Sequence, residues 1–282
     1  MSLEKLKDWI GRTQTMEDLA APFPVRALAA TFDESDPDPK NGDALPPLWH
    51  WLYFLDTAPQ SKIGGDGHAE RGDFLPPVPL PRRMWAGSRF AFDVEPVRVG
   101  DTITRTSRIK SVEPKIGSTG SMVFVTVQHT ISGPRGPSFV EEHDIVYREA
   151  AKPGEKPKDP RPAPTDATWT RTIVPDPVLL FRFSALTFNG HRIHYDQPYV
   201  TGVEGYPALI VHGPLLGMLQ IELARRTHPD KVVRSFEFRA LSPVFSGPAF
   251  SVQARGEADG SVTTWIADPR GGLAQQGKAT FQ

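Results

Sequence analysis

The sequence predicts an α+β fold in which an antiparallel sheet wraps a buried helix, with that plan occurring twice in one chain. Three observations predict it. Alternating apolar and polar runs recur in both halves of the 282 residues, as strands with one buried face do. The two halves keep the same order of features: Arg89-Phe90-Ala91-Phe92 is answered by Ser235-Phe236-Glu237-Phe238, 146 positions later (236 − 90), and Pro96-Val97 and Gly100 by Pro243-Val244 and Gly247, 147 positions later (243 − 96). Residues 208–226 form a near-continuous helical pattern, with Leu209, Leu215, Leu216, Leu219 and Leu223 at helical spacings and Arg225-Arg226 at its C-terminal end, where cations suit the helix dipole. Apolar over most of its circumference, that helix must be enclosed.

Taken in order, residues 3–10 and 16–31 read as one or two amphipathic helices outside the repeated plan. Residues 49–55 suggest a short helix or strand where the first half needs its central helix. From there to Trp85 runs a Gly- and Pro-rich loop with Pro76, Pro77, Pro79 and Pro81. The first half has therefore lost part of its helix, which leaves room for a bulky ligand. Alternating runs at 102–112, 123–131 and 139–147 complete its sheet. Residues 150–166 carry Pro153, Pro157, Pro160, Pro162 and Pro164 among charges and read as an extended linker. The halves are thus 1–149 and 167–282. In the second, a β-type run at 178–187 enters a polar turn, the helix comes next, and strands are expected at 250–254, 262–267 and 273–281.

Composition narrows the function classes. No cysteine is present, which removes thiol nucleophiles, Cys-ligated zinc and disulfides. The formal charge of −1 offers no basic footprint for nucleic acid. No apolar run reaches membrane-spanning length, and the first residues lack the apolar centre of a signal peptide, so a cytoplasmic protein is expected.

Chemistry concentrates in residues 181–217. The turn holds Asn189, His191 and His194, and His212-Gly213-Pro214 opens the helix. Asn189-Gly190 is also an ordinary turn dipeptide. His191 is either a solvated turn residue or one that orients a substrate. His212 is either a helix-start histidine bonded to backbone or a catalytic group. His191-x-x-His194 with Asp196 does not have the spacing of a zinc helix, and no metal site is expected.

Asn189, four residues, His194 resembles the Asp-x4-His signature of MaoC-like (R)-specific enoyl-CoA hydratases, with Asn189 at the Asp position and His191-Arg192 where that signature has Asn-Pro. FSALTFNGHRIHYD followed by GYPALIVHGPL resembles the hydroxyacyl-thioester dehydratase type 2 branch. Trp9-Ile10-Gly11-Arg12 and the segment from Leu75 to Gly87 resemble the bacterial mesaconyl-C4-CoA and itaconyl-CoA hydratases. The resemblance implies a double hot-dog fold and hydration of an acyl-CoA, with CoA as part of the substrate and no separate cofactor. His194 is then the base that activates water, as histidine's pKa suits, and Asn189 holds that water by its amide. Backbone N–H groups near His212 and Gly213 face the thioester oxygen, and Pro214 suits a first helical turn.

Arginine pairs with phosphates and carboxylates through forked hydrogen bonds. Arg182, beside the turn, and Arg82, Arg83 and Arg89 are the candidates to meet CoA or a distal carboxylate. Two other activities fit the fold. A thioesterase would place a carboxylate near the helix start, where this helix has none before Glu222. A non-catalytic acyl-binding protein would tolerate Asn in place of Asp. A dehydratase of fatty-acid metabolism is a narrower form of the hydratase reading. Two halves in one chain match the pair that single-domain relatives form, and a further homodimer or higher assembly is compatible with this plan.

Overall fold

The computed structural model describes residues 3–34, 39–70, 74–93, 95–117, 120–149 and 159–282. Its centre is one antiparallel sheet of ten strands. The chain begins with a 3-10 turn (Leu3–Trp9), strand β1 (Thr13–Leu19) and helix α1 (Pro22–Thr31). A 3-10 turn (Trp49–Leu52) precedes β2 (Arg82–Phe92), β3 (Thr102–Gly117), β4 (Gly120–Gly133) and β5 (Gly136–Arg148). The second half has β6 (Trp169–Ile173), α2 (Pro177–Leu186), a 3-10 turn (Arg192–His194), α3 (Gln197–Gly202) and α4 (Gly213–Thr227), then β7 (Val233–Ala240), β8 (Phe250–Gly256), β9 (Val262–Ala267) and β10 (Leu273–Phe281).

The strand order is β1-β3-β4-β5-β2-β7-β10-β9-β8-β6. Read outward from the β2–β7 seam, each half repeats the other. Phe90 pairs with Phe236 across that seam, so the phenylalanines that revealed the repeat meet at its axis. Helix α4 lies in the hollow of the second half, with Leu215, Leu216, Met218, Leu219, Ile221 and Leu223 all buried. Its two buried polar side chains are satisfied, as burial requires. Gln220 donates to Gln275 Oε1 (2.6 Å) and accepts from Thr264 Oγ1 (2.9 Å). Glu222 accepts from Trp49 Nε1 (3.0 Å) and pairs with Arg225 (3.0 Å).

The structure corrects several expectations. Residues 178–187 are helix α2, not a strand: Asp176 caps it by accepting from the Leu179 N–H (2.8 Å) and Pro177 occupies its first turn, both strong helix starts. The central helix begins at Gly213, not 208, because Pro214 has no N–H to extend the ladder backward, and Ile210 instead bridges Phe245. Residues 16–19 belong to β1, paired with β3, and the helix restarts at Pro22. Arg82 and Arg83 open β2 rather than lying in a loop. The expected linker falls partly outside the described residues; from 159 onward it is docked, with Pro162 bridging Gly272 and Ala163 buried beside Trp265. Among the described residues no helix is long and apolar enough to cross a membrane.

The repeat extends beyond the sheet. Helix α1 follows β1 as α2 follows β6, and each starts at a proline. Each unwinds through a left-handed residue, Asp33 (φ 54°) or Phe188 (φ 48°). The next N–H then returns to the helix: Glu34 to Ala29 O (3.0 Å) and Asn189 to Ser184 O (2.8 Å). Glu34 therefore occupies in the first half the place that Asn189 occupies in the second. Its carboxylate is held by Arg226 (2.5 Å).

Candidate active site

Helix α2 delivers the chain into the polar turn, and an Asx turn shapes the residues after it: Asn189 Oδ1 accepts from the His191 N–H (3.0 Å), the local closure that Asn side chains favour. The 3-10 turn at Arg192–His194 then drives His194 inward until it is 7 % exposed. His194 Nδ1 lies 2.7 Å from Ile210 O. A carbonyl only accepts, so Nδ1 carries the proton and Nε2 keeps its lone pair. Among the described residues Nε2 has no hydrogen-bond partner. Burial pushes the imidazole down to about 3, against a smaller opposing pull from the Ile210 carbonyl. His194 is thus a neutral base of fixed tautomer.

His212 stacks on His194, with ring centroids 3.7 Å apart and planes 19° apart. It is wholly buried and caps α4. Its Nε2 lies 2.8 Å from Ser184 Oγ on α2, while Nδ1 has no partner. Burial holds it well below the usual histidine range, and its histidine neighbours add to this. Both readings of His212 are answered by this contact: it bonds to a serine hydroxyl, and its ring braces that of His194. Gly213 comes directly after it. A Cβ added there would meet nothing within 4 Å, so open space lies beside the start of α4, whose first N–H groups a helix leaves unpaired. The Gly213 carbonyl is tied back by Gln275 Nε2 (3.2 Å).

The sequence reading missed the contribution of the first half. The loop at 63–70 lies across the polar turn. Arg192 N–H donates to Asp66 O (2.9 Å) and Arg192 Nη1 to Gly65 O (2.9 Å). Gly67, at φ 89°, sits so close that a Cβ would fall 1.8 Å from Gly190 O. His68 packs on His191 (centroids 4.2 Å, planes 40° apart), and His191 meets His194 edge-on at 5.5 Å. Four imidazoles, His68, His191, His194 and His212, therefore run from a half-exposed loop into the core. The Asp66-Gly67-His68 triplet inside a Gly-rich stretch was the signal available, since chemistry-bearing residues on a loop are a functional hint.

Among the described residues one group, Asp66, His68 and His191, brings potential ligand atoms within 4.8 Å of one another. Arg83 brings positive charge to His191, next to this group. Burial lowers His191 to about 4, opposed by Asp66 and aided by Arg83.

The four arginines part company. Arg89 points to the outer face of β2, where it pairs with Asp144 (2.5 Å) and Glu142 (3.1 Å); it is outside the site, because Ser88 and Phe90 take the inner face. Arg82 donates to Glu204 O (3.2 Å), lies 3.8 Å from its carboxylate and covers Tyr206. Arg182 is exposed on α2, on the side away from Ser184. Arg83 lines a cavity of about 130 Å³ with Asp56, His68, Ala69, Glu70, Leu75 and Tyr147.

With this geometry in view, the comparisons with known proteins decide the family. The sequence profile of hydroxyacyl-thioester dehydratase type 2 matches residues 48–246. The chain belongs to the hydroxyacyl-thioester dehydratase type 2 family. It is 47 % identical over 251 residues to the mesaconyl-C(4)-CoA hydratase of Chloroflexus aurantiacus, covering 89 % of each chain. It is 28 % identical to the mitochondrial hydroxyacyl-thioester dehydratase type 2 of Schizosaccharomyces pombe, covering 82 % of this chain and 86 % of that one. Among solved structures, a MaoC-like dehydratase superposes with a TM-score of 0.70 at 14 % identity over 99 % of both chains. A Mycobacterium tuberculosis protein described as a double hotdog fold gives 0.60 at 14 % identity, covering 100 % and 98 %. This family member therefore has the double hot-dog fold its sequence predicts.

Proposed function

We propose that the protein hydrates, reversibly, the double bond of a short enoyl-CoA of the mesaconyl-C4-CoA type. The observation that carries the reading is His194: a buried neutral imidazole, its Nδ1–H spent on Ile210 O and its Nε2 unpartnered, beside the start of α4. The 47 % identity to a mesaconyl-C(4)-CoA hydratase supports it.

In the forward direction His194 Nε2 takes a proton from water while the water oxygen bonds to Cβ. The π electrons move toward Cα and the thioester carbonyl, whose oxygen gains negative charge. The Gly213 N–H, at the positive end of α4, donates to that oxygen, which is stabilised as it becomes charged. The imidazolium then returns its proton to Cα, so one group serves both transfers and is neutral again. Asn189 keeps its Oδ1 for the turn and offers its amide N–H to the water. His212 holds the ring of His194 in plane. Arg182, exposed on α2, suits a phosphate of CoA, whereas Arg82 is engaged by Glu204. Glu222, the carboxylate a thioesterase would need, is committed to Trp49 and Arg225 inside the fold.

The test is hydration of itaconyl-CoA, mesaconyl-C4-CoA, crotonyl-CoA and a long-chain enoyl-CoA, beside His194→Ala. Turnover of a short substrate, lost in the variant, is expected. CoA release without hydration, or binding without turnover, overturns the reading.

A further inference from the structure

We propose that Arg83 is the residue that selects a substrate with a free carboxylate, receiving that group in the cavity it shares with His68 and Tyr147; this deepens the hydratase reading and rests on it. Three arginines of the first half were candidates for that task. Arg89 is consumed by Glu142 and Asp144, and Arg82 by Glu204. Arg83 has neither a hydrogen bond nor an ion pair among the described residues, although it is only half exposed. A guanidinium so placed is a standing donor set for a planar carboxylate.

Position supports the same role. The charge of Arg83 reaches His191, whose ring is 5.5 Å from that of the base. His68, which lines the cavity with Arg83, packs on His191 (centroids 4.2 Å apart), so the cavity is joined to His194 through these two rings. In a four-carbon diacid chain three C–C bonds of about 1.5 Å each separate the thioester carbon from the free carboxylate, so the long Arg83 side chain must reach toward that group. The cavity's about 130 Å³ suits such a stub.

Two acids also line this cavity, and each has another partner. Glu70 pairs with Lys62 (3.8 Å), and Asp56 accepts from the Ala58 N–H (3.2 Å); both are exposed at its rim. Asp66 accepts from the His68 N–H (3.0 Å) and opposes the protonation penalty on His191.

The experiment compares the kcat/KM ratio of mesaconyl-C4-CoA to crotonyl-CoA in wild type, Arg83→Gln and Arg83→Lys. Binding of two unreactive thioesters, succinyl-CoA and butyryl-CoA, is measured by calorimetry in parallel. A wild-type ratio that collapses about 30-fold or more in Arg83→Gln, as loss of a desolvated charge partner implies, and partly recovers in Arg83→Lys, is expected. An unchanged ratio in Arg83→Gln, or no wild-type preference for the carboxylated thioesters, overturns the assignment while leaving the hydratase reading intact. Carboxylate-selective binding that depends on Arg83, in a protein that hydrates nothing, sustains the assignment and defeats the hydratase reading instead.

Discussion

The acid limb of the pH–rate profile tests the environment of His194 directly. A histidine in water is about 3 % neutral at pH 5, so a base with its ordinary pKa near 6.5 would cost roughly 30-fold in rate between pH 8 and pH 5. Here burial, with His212 stacked on the ring, lowers the imidazole to about 3. At pH 5 about 99 % of it is still the neutral form that accepts a proton. The sign is fixed: a base works when unprotonated, so activity is lost only as pH falls through its folded pKa. We expect kcat/KM, which reports the free enzyme, to change less than about threefold from pH 8 to pH 5. Initial rates of enoyl-thioester hydration, followed by ultraviolet absorbance, measure it, with far-ultraviolet circular dichroism confirming the fold at each pH. Keeping above pH 5 leaves a substrate carboxylate ionised. A fall of tenfold or more, centred near pH 6.5 in folded protein, would refute the argument from burial.

His194→Gln should retain the fold and lower kcat by about 10²- to 10⁴-fold, the usual worth of a general base; single-turnover kinetics would show it. Gly67→Ala places a Cβ against Gly190 O at a left-handed φ, a strain of about 1–3 kcal/mol; kcat/KM should drop at least about tenfold with Tm only modestly lowered, and an unaffected variant would mean the loop does not bear on the turn. His129 and His143, lowered by burial to about 3 and about 4, bind protons below pH 6.5 only once unfolded. Stability is therefore undiminished above 6.5 and lost as pH falls toward 4, by about 2 kcal/mol per histidine at pH 5; equal urea midpoints at pH 7.5 and pH 5 would contradict this. Arg89→Ala removes an exposed pair worth about 0–1 kcal/mol and should leave the substrate ratio within twofold in the same steady-state assay.

Much of the fold was legible because the repeat is written in paired features. Phe90 and Phe236, Pro96 and Pro243, Gly100 and Gly247 sit at matching registers, and a strand's two-residue period is hard to disguise. Helix α2 was not legible from periodicity, because Val178, Phe181 and Phe183 are residues that strands also favour; the Asp176-Pro177 start outweighs them in the structure. The edge strands β1 and β6 are short and largely polar, so their pairing depends on neighbours distant in sequence. At the site, Asn189, His194, His212 and Gly213 were singled out by their spacing, and folding stacks the rings of His194 and His212. His68 was not, because nothing local says that residue 68 meets residue 191. The sorting of the arginines needed the partners, Glu142, Asp144 and Glu204, that only folding supplies.

The likeness of Glu34 to Asn189 has a consequence for what the duplicated chain can hold. Two equal halves would present two reaction centres, one at each pole of the sheet. At the first-half pole Glu34 is clasped by Arg226, Arg171 donates to Phe32 O (2.7 Å), and Trp49 is fastened to Glu222. That pole is a rivet, and one thioester should saturate each polypeptide. Its loss freed the first half to become the wall of its sibling's chamber, through the 63–70 loop and Arg83. With His194 as the base and Arg83 as the selector, as proposed, neither half is a spare: one would carry the reaction and the other the choice of what reaches it.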